Sequence, residues 1–252
     1  MATDNLVRSS ARTLQILETL KEHNGLGVTT LADELDLPKS TIHNHLDTLR
    51  QNEYVVKDDD VYKVGLRFLE LGAHARSRQP LYEKGKPEVD KLAQSTGELA
   101  NLATEEYGRG VYLYLTQGDQ AVKLDTYAGK RFHLHCTALG KAILAHLPEK
   151  RIEEVLDRHG LPRRTDTTIT DRDELRQELA TVRDQGYAQD MAERLDGLRC
   201  VAAPIQHRDG DILGAISVSG PTSRMKSDRI DDDITERLLD AANVIELNIM
   251  YA

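Results

Sequence analysis

Apolar residues recur at helical spacing in the first third of the chain. Those within residues 10–23 lie three and four positions apart, which predicts a first helix. They are Leu14, Ile16, Leu17 and Leu20. A second, short helix is expected after Val28, where the hydroxyls of Thr29 and Thr30 are placed to cap it, and it should end before Pro38.

The third predicted helix has two unlike faces. Pro38 lies in its first turn, and Ile42, Leu46 and Leu49 recur at i, i+4 and i+7, which predicts a buried face. The other face is polar and presents side chains that can reach phosphates and base edges. It consists of Lys39, Ser40, His43, Asn44, Asp47 and Arg50.

A short β-hairpin is expected after these helices. Residues 54–56 and 61–64 read as strands on either side of a polar turn at 57–60. Three helices with a tight turn before the third, followed by a β-wing, are the parts of a winged helix-turn-helix. The pattern leaves one alternative open, a small helical interaction domain whose polar face is only solvated.

Residues 66–79 predict a linking helix that ends in a polar segment. We therefore expect a DNA-binding domain at 1–72, the end of the linking helix at 73–80 and a second domain at 81–252. The second domain combines groups of strands with groups of helices, which indicates an α/β (α+β) fold class. The expected elements are a helix near 81–95, strands near 99–104, 111–117 and 121–126, helices near 138–147, 149–158 and 171–185, two further strands and a long final helix.

The last two predicted strands form a hairpin with a polar face. An Asp-Gly pair within residues 208–211 indicates a two-residue turn, which sets Cys200 opposite Ser219 and Ala202 opposite Ser217. Two hydroxyls and a thiol beside a small alanine would make a concave polar patch. Serines that only bond neighbouring backbone are the alternative. The opposite face should be core and comprises Val201, Ala203, Ile205, Ile212, Ile216 and Val218.

A helix beginning after Thr137 offers a second ligand-binding feature. Thr137 can cap it, and its first turn contains Gly140, so free backbone amides at the positive end of the helix dipole could hold a carboxylate or phosphate. The nearby His133 and His135, with the two cysteines, raise the alternative of a metal site or a Cys-His nucleophile. They fall in no zinc spacing and no orienting acid accompanies them, so we expect no metal, no cofactor and no catalytic residue.

Composition changes the picture in two ways. The 252 residues carry a net charge of -9, and residues 1–72 hold eight Lys or Arg against twelve Asp or Glu. This balance opposes DNA binding through phosphate attraction, but it suits a halophilic protein, in which close contacts matter more than a basic field. The two cysteines, Cys136 and Cys200, indicate no disulfide framework, and no apolar run is long enough to span a bilayer, so a cytoplasmic location is expected.

Taken in order, several motifs resemble those of the IclR family of bacterial and archaeal transcription regulators over nearly the full chain. They are Leu37-Pro38-Lys39-Ser40-Thr41-Ile42-His43, Tyr62-Lys63-Val64-Gly65, His135-Cys136-Thr137-Ala138-Leu139-Gly140-Lys141-Ala142, Gly186-Tyr187-Ala188-Gln189-Asp190 with Glu193, Gly197, Cys200 and Ala203-Pro204, and Gly214-Ala215-Ile216-Ser217-Val218-Ser219-Gly220-Pro221. Two positions depart from the family pattern: Asn44 follows His43 where an arginine is usual, and Glu53 stands where glycine is common.

The resemblance implies a winged-helix domain and a GAF-like effector-binding domain with an antiparallel sheet flanked by helices. It also implies homodimers or homotetramers and effectors that are small organic, sugar or aromatic acids. The effector contacts it implies are Leu139, Gly140, Asp190, Cys200, Ser217 and Ser219. Asp190 is expected to accept hydrogen bonds from a ligand hydroxyl. The candidate DNA contacts are Thr29, Lys39, Ser40, Thr41, His43, Asn44, His45, Arg50 and Lys63.

We therefore expect a transcription regulator that binds a double-stranded DNA operator and responds to a small metabolite, with control of a catabolic operon as the family-level role. The alternative is a metabolite-binding or enzymatic GAF-like protein without specific DNA binding, which the acidic N-terminal part favours. Alanine substitutions at Lys39, Asn44 and Arg50 would discriminate between the two.

Overall fold

The computed structural model describes residues 6–251, apart from the side chains of residues 231 and 232, and the chain divides into two units between Ala75 and Arg76. None of the helices in the described part of the chain has the length and apolar character that a bilayer crossing requires.

The first unit is a three-helix domain with a β-wing, as predicted. Its elements are α1 (Arg8–Glu22), α2 (Val28–Leu35), α3 (Lys39–Gln51), β1 (Val55–Asp58), β2 (Val61–Val64) and the start of α4 (Arg67–Ser77). Ile16, Leu31, Ile42 and Leu46 are fully buried and form the centre of its core. The predicted buried stripe of α3, Ile42, Leu46 and Leu49, is confirmed.

Local details of the first unit differ from the sequence predictions. Gly27 precedes α2 and no side chain caps that helix, so the prediction that threonine hydroxyls cap it is wrong. The turn of the wing is shorter than predicted, because Asp58 pairs with Val61 and Asp59 adopts a left-handed backbone with φ 53°. Glu53 also has a positive φ of 65°, which is the physical reason that glycine suits this position.

The second unit has three layers around a six-stranded antiparallel sheet. The strand order is β5-β4-β3-β8-β7-β6, with α5 and α10 on one face and α6, α7 and α8 on the other. The strands are β3 (Leu99–Glu106), β4 (Arg109–Gln117), β5 (Arg131–Phe132), β6 (Ala188–Met191), β7 (Leu198–Gln206) and β8 (Ile212–Pro221). The helices are α5 (Pro80–Thr96), α6 (Ala138–Leu144), α7 (Glu149–His159), α8 (Arg172–Gln185), α9 (Ser227–Arg229) and α10 (Thr235–Met250), with a π-helical turn at Ile230–Ile234 before α10.

The third strand predicted in this unit is wrong. Residues 121–126 form no strand; the chain instead turns and pairs through Arg131–Phe132 at the edge of the sheet. Residues 121–126 do not join the sheet at β4, because β4 lies between β3 and the short strand Arg131–Phe132. The short β6, which the pattern did not predict, forms the other edge.

The predicted register of the β7–β8 hairpin is confirmed, although the predicted turn is wrong. Cys200 lies opposite Ser219 and Ala202 opposite Ser217. The loop is closed by His207 and Asp211 rather than by a two-residue turn, and a bulge at Ile205/Gln206 restores the register. The bulge also turns Ile212 toward the helical layer of α6, so its predicted place in the opposite core is wrong.

A buried ion-pair cluster holds the ends of several segments together. Glu98 is 0% exposed and accepts two hydrogen bonds of 2.8 Å from Arg224 and one of 3.0 Å from Arg229. The same arginines reach the backbone carbonyls of Thr96 and Gln120. Glu98 therefore fixes the start of β3 to the segment between β8 and α10.

We expect Glu98→Ala to lower the free energy of unfolding of the second unit by about 3 kcal/mol, because two partly buried guanidinium groups lose their carboxylate. Urea unfolding followed by far-UV circular dichroism measures the change. Asp157→Ala is the matched control, since it removes an exposed carboxylate that pairs with Arg172 at 2.8 Å and should change stability by less than about 1 kcal/mol. Equal losses in the two variants would contradict the structural role of Glu98.

Candidate functional site

A polar pocket lies between α6 and one face of the sheet. Five of the six side chains expected to contact an effector line it: Leu139, Asp190, Cys200, Ser217 and Ser219. The remaining lining residues are Leu99, Asn101, Tyr112, Leu124, Thr126, Thr137, Ala138, Arg194 and Leu198. The register of β3, β6, β7 and β8 brings the polar members together, because each lies on the same face of its strand.

The two serines bond a side chain rather than only backbone. Asn101 Nδ2 donates to Ser217 Oγ at 3.1 Å and to Ser219 Oγ at 3.2 Å. Asn101 is 2% exposed, and its Oδ1 has no hydrogen-bond partner among the described residues. A buried amide oxygen without a partner costs about 1–3 kcal/mol, so this atom is a natural acceptor for a ligand hydroxyl.

Asp190 supplies a second unpartnered oxygen. Its Oδ1 accepts from the Glu193 backbone N–H at 2.7 Å, whereas its Oδ2 is buried without a partner among the described residues. Burial, and then the charge of Glu193, raises the pKa of Asp190 to about 7. Near neutral pH the carboxyl is therefore partly protonated and can also donate to an anion, whereas the sequence suggested an acceptor only.

Arg194 brings a positive charge to the pocket. Its guanidinium donates to the Tyr112 hydroxyl, and its centre lies 5.8 Å from the Tyr112 ring centroid. Burial raises the pKa of Tyr112 to about 12, so the hydroxyl stays neutral. Arginine forks match carboxylate geometry, which makes Arg194 the residue in this pocket best suited to an organic acid.

The two thiols are poorly suited to nucleophilic chemistry. Burial raises the pKa of Cys136 to about 11 and raises the pKa of Cys200 further, because the apolar surroundings disfavour thiolates. His133 and His135 meet edge to face at 5.5 Å, and burial lowers the pKa of each to about 4. Among the described residues, no group of three or more His, Cys, Asp or Glu side chains is arranged to hold a metal ion.

The start of α6 is capped as the sequence predicts. Thr137 Oγ1 accepts from the Gly140 N–H at 3.0 Å. Gly140 itself does not line the pocket; a Cβ on it would lie 2.1 Å from the Leu134 carbonyl oxygen, so its role is close packing. Leu139 is the member of this pair that faces the pocket.

A buried lysine ties α6 to the loop that carries Arg194. Lys141 is 2% exposed and donates to Glu193 at 2.6 Å and to Glu178 of α8 at 2.7 Å. Burial alone would lower its pKa, but the two carboxylates together raise the pKa of Lys141 above its usual value. The charged network therefore fixes the loop after β6 against the helix that covers the pocket.

The first unit presents a separate polar surface on α3. Lys39, Ser40, His43, Asn44 and Arg50 are exposed, and Thr41 is half-buried at the start of the helix. Asp47 lies among them, 2.9 Å from His43 and 3.6 Å from Arg50. Its carboxylate therefore offsets part of the positive charge on this face.

The three remaining candidate DNA contacts lie outside this exposed surface of α3. Thr29 is exposed at the start of α2. Lys63 on the wing pairs with Asp58 at 3.0 Å. His45 is half-buried and its Nδ1 lies 2.8 Å from Thr13 Oγ1 of α1, so the structure does not group it with the exposed residues of α3.

Sequence reasoning missed Asn101, Tyr112, Thr126 and Arg194. A signal existed for Asn101, because it is a polar residue within an apolar strand and shares a strand face with Leu99. Arg194 lies in a loop after a strand that the pattern did not predict, so nothing in its spacing connected it with the hairpin.

Comparisons with known proteins agree with this arrangement. Residues 9–59 match the IclR helix-turn-helix domain, and residues 73–247 match the bacterial transcriptional regulator IclR C-terminal domain. The chain is 38% identical over 250 residues to the HTH-type regulator designated ArcR in Halobacterium salinarum, covering 98% of this chain and 95% of that protein. It is 32% identical over 229 residues to the acetate operon repressor of Salmonella typhimurium, and the match covers 89% of this chain and 84% of that protein.

A solved structure shows the same fold across both units. An IclR homologue from Microbacterium hydrocarbonoxydans, crystallised with 4-hydroxybenzoate, matches with a TM-score of 0.83 at 25% identity over 97% of this chain and 100% of that chain. The relatives are transcriptional regulators, a family not known for enzymes. The helix-turn-helix, the metabolite-binding architecture and these matches together place the chain in the IclR family of DNA-binding transcription regulators.

Proposed function

We propose that a small carboxylic acid with further oxygen substituents binds between α6 and the sheet and thereby changes the affinity of the protein for its operator. The observation that supports this most directly is the pair of unpartnered buried oxygens, Asn101 Oδ1 and Asp190 Oδ2, in a pocket that also holds Arg194. We place this regulation in the cytoplasm, where the DNA of the cell is accessible.

The chemistry of the pocket suits an acid better than a sugar or an amine. The guanidinium of Arg194 and the protonated form of Asp190 both donate to a carboxylate, whereas Asn101 Oδ1 accepts from a hydroxyl. A similar protein favours the same class, since an IclR homologue was crystallised with 4-hydroxybenzoate.

Regulation follows if binding requires the pocket to open. The free space between the lining residues is about 10 Å³, close to the room that one water molecule needs. A ligand of several atoms must therefore displace side chains, and it stabilises the open arrangement only by its differential affinity for it. Couplings of this kind are typically about 1–3 kcal/mol, a 5- to 150-fold change in operator affinity.

For the DNA-binding surface we infer a main role of the exposed face of α3 and a lesser role of the wing. Asn44 offers the amide that pairs with adenine, and Lys39 and Arg50 are the cations on the face. Asp47 and the acidic balance of the unit weaken attraction to phosphate, so base contacts should supply a large share of the specificity.

We further propose that the protein acts as a homodimer or a dimer of dimers, with a second copy covering apolar side chains of the first unit. Leu66, Leu69 and Leu71 in and beside α4 are 85%, 67% and 51% exposed, and α4 has no buried residue. Helix-turn-helix proteins commonly bind two DNA half-sites as dimers, so two copies of the first unit are expected to act together. The exposed leucines and the paired half-sites both favour a second copy of this chain as the partner that covers this surface.

The first prediction from the proposed function concerns DNA recognition. Asn44→Ala should weaken specific binding to the DNA upstream of the protein's own gene by about 1–3 kcal/mol and leave its salt dependence unchanged. Lys39→Ala should weaken binding to all DNA sequences. It should also reduce the slope of log K against log[KCl] by about 1 for each copy of the first unit that contacts the DNA. Fluorescence anisotropy at several KCl concentrations measures both.

Lys91→Ala is the matched control, because it removes one positive charge from a 70% exposed side chain of the second unit. It should change neither the specificity nor the slope. Specific binding that persists in both α3 variants would show that another surface reads the operator.

The second prediction concerns pH. Because the pKa of Asp190 is raised to about 7, its protonated form predominates below pH 7 and donates to a carboxylate, while above pH 7 its charge repels one. The affinity for the acid that binds most tightly among acetate, 4-hydroxybenzoate and gluconate should fall about tenfold per pH unit above 7. Calorimetric titration from pH 5.5 to 9 measures the profile.

Two variants separate Asp190 from the rest of the pocket. Asp190→Asn should remove the pH dependence, whereas Ser217→Ala should weaken binding and retain the profile. An unchanged pH profile in Asp190→Asn would exclude Asp190 as the titrating group.

The third prediction concerns assembly. The double variant Leu66→Lys with Leu69→Lys should lower the molar mass in solution. A homodimer should fall to the 28.2 kDa of one chain, and a dimer of dimers should fall to half of its assembled mass. Light scattering after size-exclusion chromatography measures it. Leu195→Lys, which charges a 49% exposed leucine of the second unit, is the control and should leave the mass unchanged. An unaltered mass in the double variant would exclude this apolar surface as the interface.

A further inference from the structure

A second cavity in the effector-binding unit is lined mainly by arginine side chains. It is open to solvent, has a volume of about 340 Å³ and is formed by Tyr107, Arg109, Arg131, Arg158 and His159. The whole chain has a net charge of -9, so three guanidinium groups in one concavity stand out from the rest of its surface. The volume lies within the range of small-molecule sites.

Local interactions explain the positions of some of these groups. Arg158 and His159 lie in the last turn of α7, where positive charge complements the helix dipole. Arg131 donates to the Glu106 backbone carbonyl at 2.7 Å, and its nearest carboxylate oxygen, on the exposed Glu106, is 3.9 Å away. These contacts hold the side chains in place but leave much of their positive charge without a counter-ion.

Arg109 has no such explanation. Among the described residues it has no carboxylate partner and no side-chain hydrogen bond. Burial, and then the positive charges of Arg164 and Arg131, lowers the pKa of Arg109, so like charges crowd it. An anion bound in the cavity would relieve this repulsion.

The turn between β3 and β4 contributes Tyr107 to the lining of the cavity. Tyr107 and Gly108 form the two-residue turn between the paired Glu106 and Arg109, which requires the positive φ of 55° at Tyr107, and Tyr107 is 63% exposed. The Nε2–H of His159 donates to the Tyr107 carbonyl at 2.8 Å and fixes the turn against α7. The guanidinium of Arg158 lies 5.8 Å from the ring centroid, so the aromatic ring forms one wall.

We infer that this cavity is a second anion site, distinct from the effector pocket, that takes the phosphate group of a phosphorylated metabolite. Guanidinium groups from three different elements suit a tetrahedral dianion with several peripheral oxygens, whereas a single planar carboxylate occupies only one fork. The exposed Tyr107 ring offers a surface for the organic part of the ligand.

The two sites lie on the same unit and share strand β4, on which Arg109 of the cavity is three residues, roughly 10 Å along the strand, from Tyr112 of the effector pocket. Residues 131–138 run directly from Arg131 in the cavity to Thr137 and Ala138 in the pocket. Arg109 and Arg158 line only the cavity and Asn101 lines only the effector pocket, so variants at these residues report on the two sites separately.

The test is calorimetric titration of the full-length protein with inorganic phosphate in KCl at constant ionic strength, with acetate as the comparison anion. Phosphate should bind the wild-type protein at one site per chain, and Arg109→Gln should weaken this binding at least tenfold. Arg158→Gln should also weaken it. Arg208→Gln, which removes the charge of a 68% exposed arginine in the β7–β8 loop, should change it less than twofold.

Asn101→Ala distinguishes the cavity from the effector pocket, and phosphate binding should survive that substitution. Several results would overturn the inference: no phosphate binding by the wild-type protein, equal binding by Arg109→Gln, or loss of binding in Asn101→Ala. If Arg109→Gln changed the molar mass but left phosphate binding unchanged, the inference of a phosphate site would also be overturned. The arginines of the cavity would then contact the acidic surface of a second copy.

Discussion

Polar side chains buried on one face of the six-stranded sheet are the constraint on which the second unit depends. Asn101 and Asp190 each leave one oxygen without a hydrogen-bond partner among the described residues, and each such atom opposes folding by about 1–3 kcal/mol. The apolar layer of α5 and α10 on the other face, together with the buried Glu98 and Lys141 clusters, supplies the stability that offsets them. A ligand that provides the missing partners then favours one arrangement of α6 and the loop after β6.

The acidic balance of the chain sets the character of its DNA-binding surface. Only a few cations lie on the exposed face of α3 and the wing, and Asp47 and Asp58 lie within 3.6 Å of three of the candidate contacts. At high salt the Debye length shrinks to about 3 Å, so long-range attraction would contribute little in any case. On the surface proposed to bind DNA, an amide and a few charges can still read bases at contact distance.

The sequence predicted the fold well where a pattern was local and long. The helices of the first unit, the wing and the buried stripe of α3 follow from periodicity. The β7–β8 register is as predicted, although it was derived from a two-residue turn that the structure does not contain. The bulge that corrects this register leaves no trace in the hydrophobic pattern. Residues 121–126 alternate like a strand but have no partner, and pairing between distant segments is not visible in local sequence.

The candidate pocket was predictable only in part for the same reason. Cys200, Ser217 and Ser219 lie in one hairpin, so their shared face could be derived, and Asp190 came from the family resemblance. Asn101 and Arg194 reach the pocket through pairing of β3 with β8 and through a loop after an unpredicted strand. His45 shows the converse, since a polar residue on a recognition helix faces α1 rather than solvent.

Operator affinity measured in the presence of small acids, in the wild-type protein and in Asn101→Leu, tests the central claim most directly. The substitution keeps the size of the side chain but removes the amide that faces the pocket. Regulation through this pocket predicts that at least one acid changes the operator Kd of the wild-type protein by 5- to 150-fold and that the variant binds DNA normally but does not respond. An acid response that persists undiminished in the variant would contradict it.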